Sequence, residues 1–87
     1  MSLKQELIDC FTEGLEKDCQ MVGVIVDIKN YDYSELIINS RQNIKKKLEY
    51  YKETYDRNLS HKTANNICIT DFAYASNPRE LFKKLDY

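Results

Sequence analysis

The triplet Asp27-Ile28-Lys29 has the spacing in this chain that comes nearest to a catalytic motif. At a strand end, an acid-x-Lys pattern can help hold Mg²⁺ and set a water beside a phosphate. Such a centre needs a second acid close by. Asp9, Glu13, Glu16 and Asp18 are available, but their spacing puts them on a helix rather than on a preceding strand. A three-residue pattern recurs often by chance, so the plainer reading is the polar end of a hairpin strand. A metal-dependent nuclease is the most remote of three functional readings.

Two other constellations carry more residues. Arg41, Lys45, Lys46, Lys47 and Lys52 interleave with Tyr50 and Tyr51. Cations of this kind can contact phosphates while a ring stacks on a base. Glu49, Glu53 and Asp56 share the stretch and dilute the field, so a solvated helix face is the plainer reading. The second set is aromatic. Tyr50, Tyr51, Tyr55, Phe72 and Tyr74, together with Tyr87, bring more ring area than a small core readily hides. Aromatic side chains gathered on a surface mark interfaces, and the margin of a core is the competing reading.

The remaining reactive residues are isolated. His61 is the single histidine, follows a helical stretch and has no nucleophile that spacing places beside it. Cys10, Cys19 and Cys68 are an odd set without a C-x-x-C pair, which favours three reduced, partly buried thiols over zinc or a disulfide framework. Asp71 reads as an outward strand residue. There is no glycine-rich phosphate loop, since the glycines are Gly14 and Gly23. No catalytic residue, metal ligand or cofactor is expected.

The elements that must position these residues come from periodicity. A chain of 87 residues with 43% apolar residues and net charge −1 reads as a single globular domain over 1–87. A domain this small supports one modest core rather than a deep substrate cavity. No run approaches the roughly 18–20 apolar residues that cross a bilayer, and MSLKQELIDC is not a signal peptide. The cytoplasm, without membrane attachment, is therefore expected. Residues 1–40 are net −5, residues 41–62 net +4 and residues 63–87 neutral, a split that can orient self-association or attract an acidic partner.

Ser2 to about Asp18 predicts a helix opened by a Ser2/Gln5 capping box, with Leu3, Leu7, Ile8, Phe11 and Leu15 on one face. Gly14 interrupts it, either for a close neighbour or because the helix frays there. Met21–Lys29 is apolar on most of both faces and predicts a central strand. Tyr33–Ile38 can close a hairpin with Leu36 and Ile38 on the core face. Alternatively it can start a helix at Asp32 that runs to Leu59, roughly 39 Å. That is long for this domain, and the strand is preferred. Asn39 to Leu59 predicts the main helix: Ile44, Leu48, Tyr51, Tyr55 and Leu59 form its stripe, Asn39 or Ser40 can cap its start, Asn39 with Gln42 has the spacing of a capping box, and Asn58 is its left-handed end. Lys45–Glu49, Lys52–Asp56 and Glu53–Arg57 stand four apart along it and can pair. Ile67–Tyr74 predicts a third strand. Asn77, Pro78 and Glu80 open a short last helix carrying Leu81, Phe82 and Leu85. The result is an α+β fold of order α-β-β-α-β-α. Its antiparallel sheet has strand order 2-1-3, and the helices pack mainly on one face.

The runs Leu36–Ile44, Lys47–Leu59 and Ile69–Phe72 resemble small uncharacterised proteins of phage and prophage regions in Gram-positive bacteria. The resemblance covers about half the chain. It implies a phage-related origin and a strand for YSELII, and it carries no catalytic site. The element order also resembles KH-type RNA modules in part, but without their G-x-x-G loop. The expected function is a non-enzymatic interaction protein that self-associates as a homo-oligomer, or binds a protein partner, through the Tyr50, Tyr51, Tyr55, Phe72, Tyr74 surface. A nucleic-acid-binding accessory role on the Arg41–Lys52 face is the alternative.

Overall fold

In a computed structural model, which describes residues 2–87, the elements run α1 (Leu3–Glu16), β1 (Met21–Ile28), β2 (Tyr33–Ser40), α2 (Ile44–Thr54), β3 (Ile67–Ala75) and α3 (Pro78–Leu85). Short 3₁₀ turns, Lys29–Tyr31 and Arg41–Asn43, flank β2. The sheet is antiparallel with order β2-β1-β3, so the strand that is apolar on both faces is central, as its composition predicts. YSELII is a strand, extended by Asn39 and Ser40.

Helix ends follow local chemistry. Ser2 Oγ accepts the Gln5 N–H at 3.1 Å, and Asn77 Oδ1 accepts the Glu80 N–H at 2.9 Å ahead of Pro78. α1 stops where Asp18 turns left-handed (φ 61°). The Cys19 N–H then returns to Gly14 O and the Asp18 N–H to Leu15 O, which satisfies two orphan carbonyls. α3 closes the same way on Asp86, with the Tyr87 N–H on Phe82 O and the two rings 6.3 Å apart.

α1 and α2 cover one face of the sheet. Leu7 and Phe11 of α1 and Ile44 and Tyr51 of α2 meet Val22, Val24 and Val26 there. α3 packs on the other face, where Leu81 and Leu85 meet Met21, Ile25, Leu36 and Ala73. Two close approaches need glycine. A Cβ on Gly14 would sit 2.9 Å from Cys19 Sγ and 3.0 Å from Tyr74 Cβ. A Cβ on Gly23 would sit 2.7 Å from Leu81 Cδ2. Gly14 thus admits a close neighbour rather than fraying its helix.

Four expectations are corrected. The stretch Asn39 to Leu59 is not one helix, because its first two residues pair with β1 and its last five leave the helix at Tyr55. Asn39 does not cap; it is buried, and its Nδ2 donates to Val22 O at 3.1 Å. At the far end Leu59, not Asn58, is left-handed (φ 62°), held with its side chain buried. Register then reverses the expectation for β2. Ile37 and Asn39 lie opposite Val24 and Val22 on the α1/α2 face, while Leu36 and Ile38 point to the α3 side. Ile38 remains 45% exposed.

β3 carries a bulge. Asp71 pairs with Ile25 and Ile69 with Val26, so Thr70 is extra. The inserted residue shifts the alternation by one. Ile67 and Ile69 before it, and Phe72 and Tyr74 after it, therefore all pack on the same core.

Candidate functional site

The aromatic residues that suggest an interface divide between interior and surface. Tyr51 is 1% exposed and Tyr55 3% exposed. Their rings are 6.0 Å apart; Tyr51 also meets Phe11 edge-on at 5.7 Å, and Tyr55 meets His61 at 5.3 Å. These two tyrosines are core residues and do not belong to an exposed patch, because the α2 stripe turns inward to the core between the sheet and α1. Phe72 and Tyr74 are half-buried on β3, packed against the same core. Of the five, Tyr50 alone is exposed.

Burial raises the pKa of Tyr55 to about 12 and raises that of Tyr51, where the neighbouring Asn39 side chain pulls the other way. The Tyr51 hydroxyl and Asn39 Oδ1 are the two buried polar side-chain atoms without a hydrogen bond among the described residues. The Asn39 side chain on β2 lies near enough to the Tyr51 hydroxyl on α2 to lower its pKa.

The basic residues fall on two flanks of α2. Arg41 forms an ion pair with Asp18, which holds the Asp18 carboxyl below its usual range. Lys52 Nζ is 3.5 Å from Glu49, three residues away, rather than paired with Asp56. Asp56 instead accepts the N–H groups of Asn58 and Ser60 at 2.9 and 3.0 Å and shapes the following turn. Lys45 faces Glu16, Leu15, Arg41 and Gln42 across a shallow groove. On the opposite flank, Asn43, Lys46, Lys47 and Tyr50 line a second groove, with Lys47 Nζ 5.2 Å from the centre of the Tyr50 ring. The five cations therefore do not form one face.

Asp27 does not meet the acids of α1. It shares the α3 face with Gly23 and Ile25, whereas α1 lies on the other face. Asp18 sits beyond the opposite end of β1, paired with Arg41. No three His, Cys, Asp or Glu side chains converge as a metal site among the described residues. His61 folds its own loop: Nδ1 accepts the N–H groups of Thr63 and Ala64 at 3.2 and 3.1 Å. Asp71 points outward and accepts the Phe72 N–H at 2.9 Å. The cysteines are free thiols, and burial pushes the Cys10 thiol up to about 12.

The feature that side-chain spacing does not reveal is the contrast between the two sheet edges. On β3, the Ile69 N–H bonds Leu59 O and the His61 N–H bonds Ile67 O, both at 2.9 Å, so the segment Leu59–His61 covers the first part of the strand. The bulge and the charge of Asp71 interrupt the rest. β2 is neither covered nor bulged. All eight of its residues pair with β1, and no other segment bonds its outer backbone among the described residues. It contains no lysine, proline or bulge, and Glu35 is its single charge. Tyr33 (51%) and Ile38 (45%) are exposed along it, and Tyr31 (78%) stands at the turn that begins it. A bare edge of this kind is a ready template for another strand. A signal for it was present in the sequence: strand order 2-1-3 makes YSELIINS an edge, and its composition lacks lysine and proline.

Comparison with protein-family models, curated proteins and solved structures gave no match. Among the described residues, no helix is long and apolar enough to cross a membrane.

Proposed function

We propose that this chain is a small non-enzymatic binding protein that self-associates, and that it does so along β2 rather than through the aromatic stripe of α2. The observation that carries this reading is the open, unbulged β2 edge beside a β3 edge that is covered and bulged. Natural sheets blunt the edges they keep to themselves, so an edge left open with exposed apolar side chains is one available for pairing. The resemblance of Leu36–Ile44, Lys47–Leu59 and Ile69–Phe72 to small phage-region proteins supports a phage-related setting. Light scattering coupled to size exclusion tests the proposal: the expected result is a dimer that persists at high salt, and a monomer at every concentration overturns it.

A second reading has one observation in its favour. Lys46 and Lys47 have no ion-pair partner among the described residues, and Lys47 lies over the exposed Tyr50 ring beside Asn43. A free cation next to an exposed ring supports a small phosphate-and-base contact. Anisotropy of a labelled single strand would then rise on binding and fall with salt, and Lys46→Glu with Lys47→Glu would abolish the change. Absent or salt-independent binding would remove this reading.

A further inference from the structure

We infer that two copies of this chain pair antiparallel through β2 about Ile38, joining their sheets into one of six strands. This inference rests on the self-association proposed above and specifies its partner and register.

The backbone sets which groups are offered. β1 and β2 keep one register from Ile28↔Tyr33 to Met21↔Ser40, and the next pair, Gln20 and Arg41, is bonded through the Arg41 N–H. In an antiparallel ladder bonded pairs alternate with non-bonded ones. Tyr33, Glu35, Ile37 and Asn39 therefore direct their N–H and C=O groups to β1, and Ser34, Leu36, Ile38 and Ser40 direct theirs outward. Symmetric pairing about Ile38 sets Ile38 against Ile38 and Leu36 against Ser40 as bonded pairs, closing about six backbone hydrogen bonds.

Side chains choose among the registers. Pairing about Leu36 sets Glu35 across from Ile37, and pairing about Ile37 sets it across from Asn39. Pairing about Ile38 brings Glu35 of each copy beside Arg41 of the other, the residue that follows the end of β2 and opens the 3₁₀ turn. The single acid of the strand then meets a cation twice, by symmetry. Arg41 can keep Asp18 as well, because its guanidinium carries five donors. The two Ile38 side chains meet on the α3 side of the sheet, where each is exposed in the single copy. A C2 interface requires such self-complementarity, and YSELIINSR has it about one residue.

The test uses charge reversal and mixing, read by light scattering, with circular dichroism to confirm that each variant is folded. Glu35 and Arg41 are both exposed, so both variants leave the core untouched. Glu35→Arg alone sets arginine against Arg41, and Arg41→Glu alone sets Glu35 against glutamate. Each is expected to weaken the dimer by roughly 10-fold or more. Mixed in equal amounts, the two variants regain opposite charges at both sites and form a heterodimer. A wild-type monomer overturns both the self-association and this pairing. A wild-type dimer that survives each single reversal, or variants that fail to recover on mixing, overturns the β2 register and leaves self-association standing.

Discussion

Gly14 and Tyr51 carry the sharpest consequences at the scale of single residues. Alanine in place of Gly14 gains helix propensity, about 1 kcal/mol. It also drives a Cβ into Cys19 Sγ and into Tyr74 Cβ, which is anchored to the β3 backbone and cannot swing away. Overpacking of this kind costs typically 1–3 kcal/mol, so Gly14→Ala is expected to lower stability by about 1 kcal/mol, measured by urea unfolding. Tyr51 fills the centre of the main core, and Tyr51→Ala is expected to cost about 3–5 kcal/mol. Tyr51→Phe keeps the packing and removes the hydroxyl beside Asn39 Oδ1. Its cost should stay within about 1.5 kcal/mol, since neither atom makes a well-formed bond. A loss as large as that of the alanine variant would show that the polar pair, not the ring, holds α2 to β2.

At the scale of elements, β3 depends on its bulge. Deleting Thr70 restores strict alternation and forces a choice: either Ile67 and Ile69 or Phe72 and Tyr74 must leave the main core. A one-residue slip of this kind turns a strand's apolar set to the wrong face. The deletion variant is expected to lose its cooperative thermal transition, whereas Thr70→Ser, which keeps the residue count, should retain it. Helix α3 depends instead on its cap, and Asn77→Ala should cost about 1 kcal/mol through the orphaned Glu80 N–H. Both effects are local in origin, but only the first was hidden from periodicity. ICITDFAY alternates well enough to be read as a strand, and nothing in its composition marks the extra residue.

For the whole molecule, pH sensitivity lies on the alkaline side. Cys10 and Tyr55 are each pushed up to about 12 by burial, and Tyr51 is raised in the same sense. A group whose folded pKa is raised keeps its proton while the unfolded chain loses it. Its contribution is intact below the unfolded pKa, near 9 for the thiol and 10 for the phenol, and is lost as pH rises through the folded value. Urea midpoints should hold steady to about pH 9 and fall between pH 10 and 12. Replacing Tyr55 by Phe should flatten that fall, and an unchanged alkaline slope would show that this ring is not the group responsible.

The sequence by itself determined the parts that local chemistry decides. The Ser2 cap, the Asn77-Pro78-Glu80 helix start and the element order all follow from residues within one turn of each other. The central position of β1 follows from its being apolar on both faces. Tertiary structure decided what depends on competition between distant groups. Asn39 has cap chemistry, but the sheet claims its backbone and its amide donates to Val22 O. Tyr51 and Tyr55 have the amphipathic rings of an interface, but they turn inward to the core between the sheet and α1. The cations of Arg41–Lys52 share one run of sequence, but the helix turns them to two flanks and Asp18 takes one of them. An edge strand is the same kind of fact. Its open side exists only once the other described segments have found their partners and none of them has come to β2.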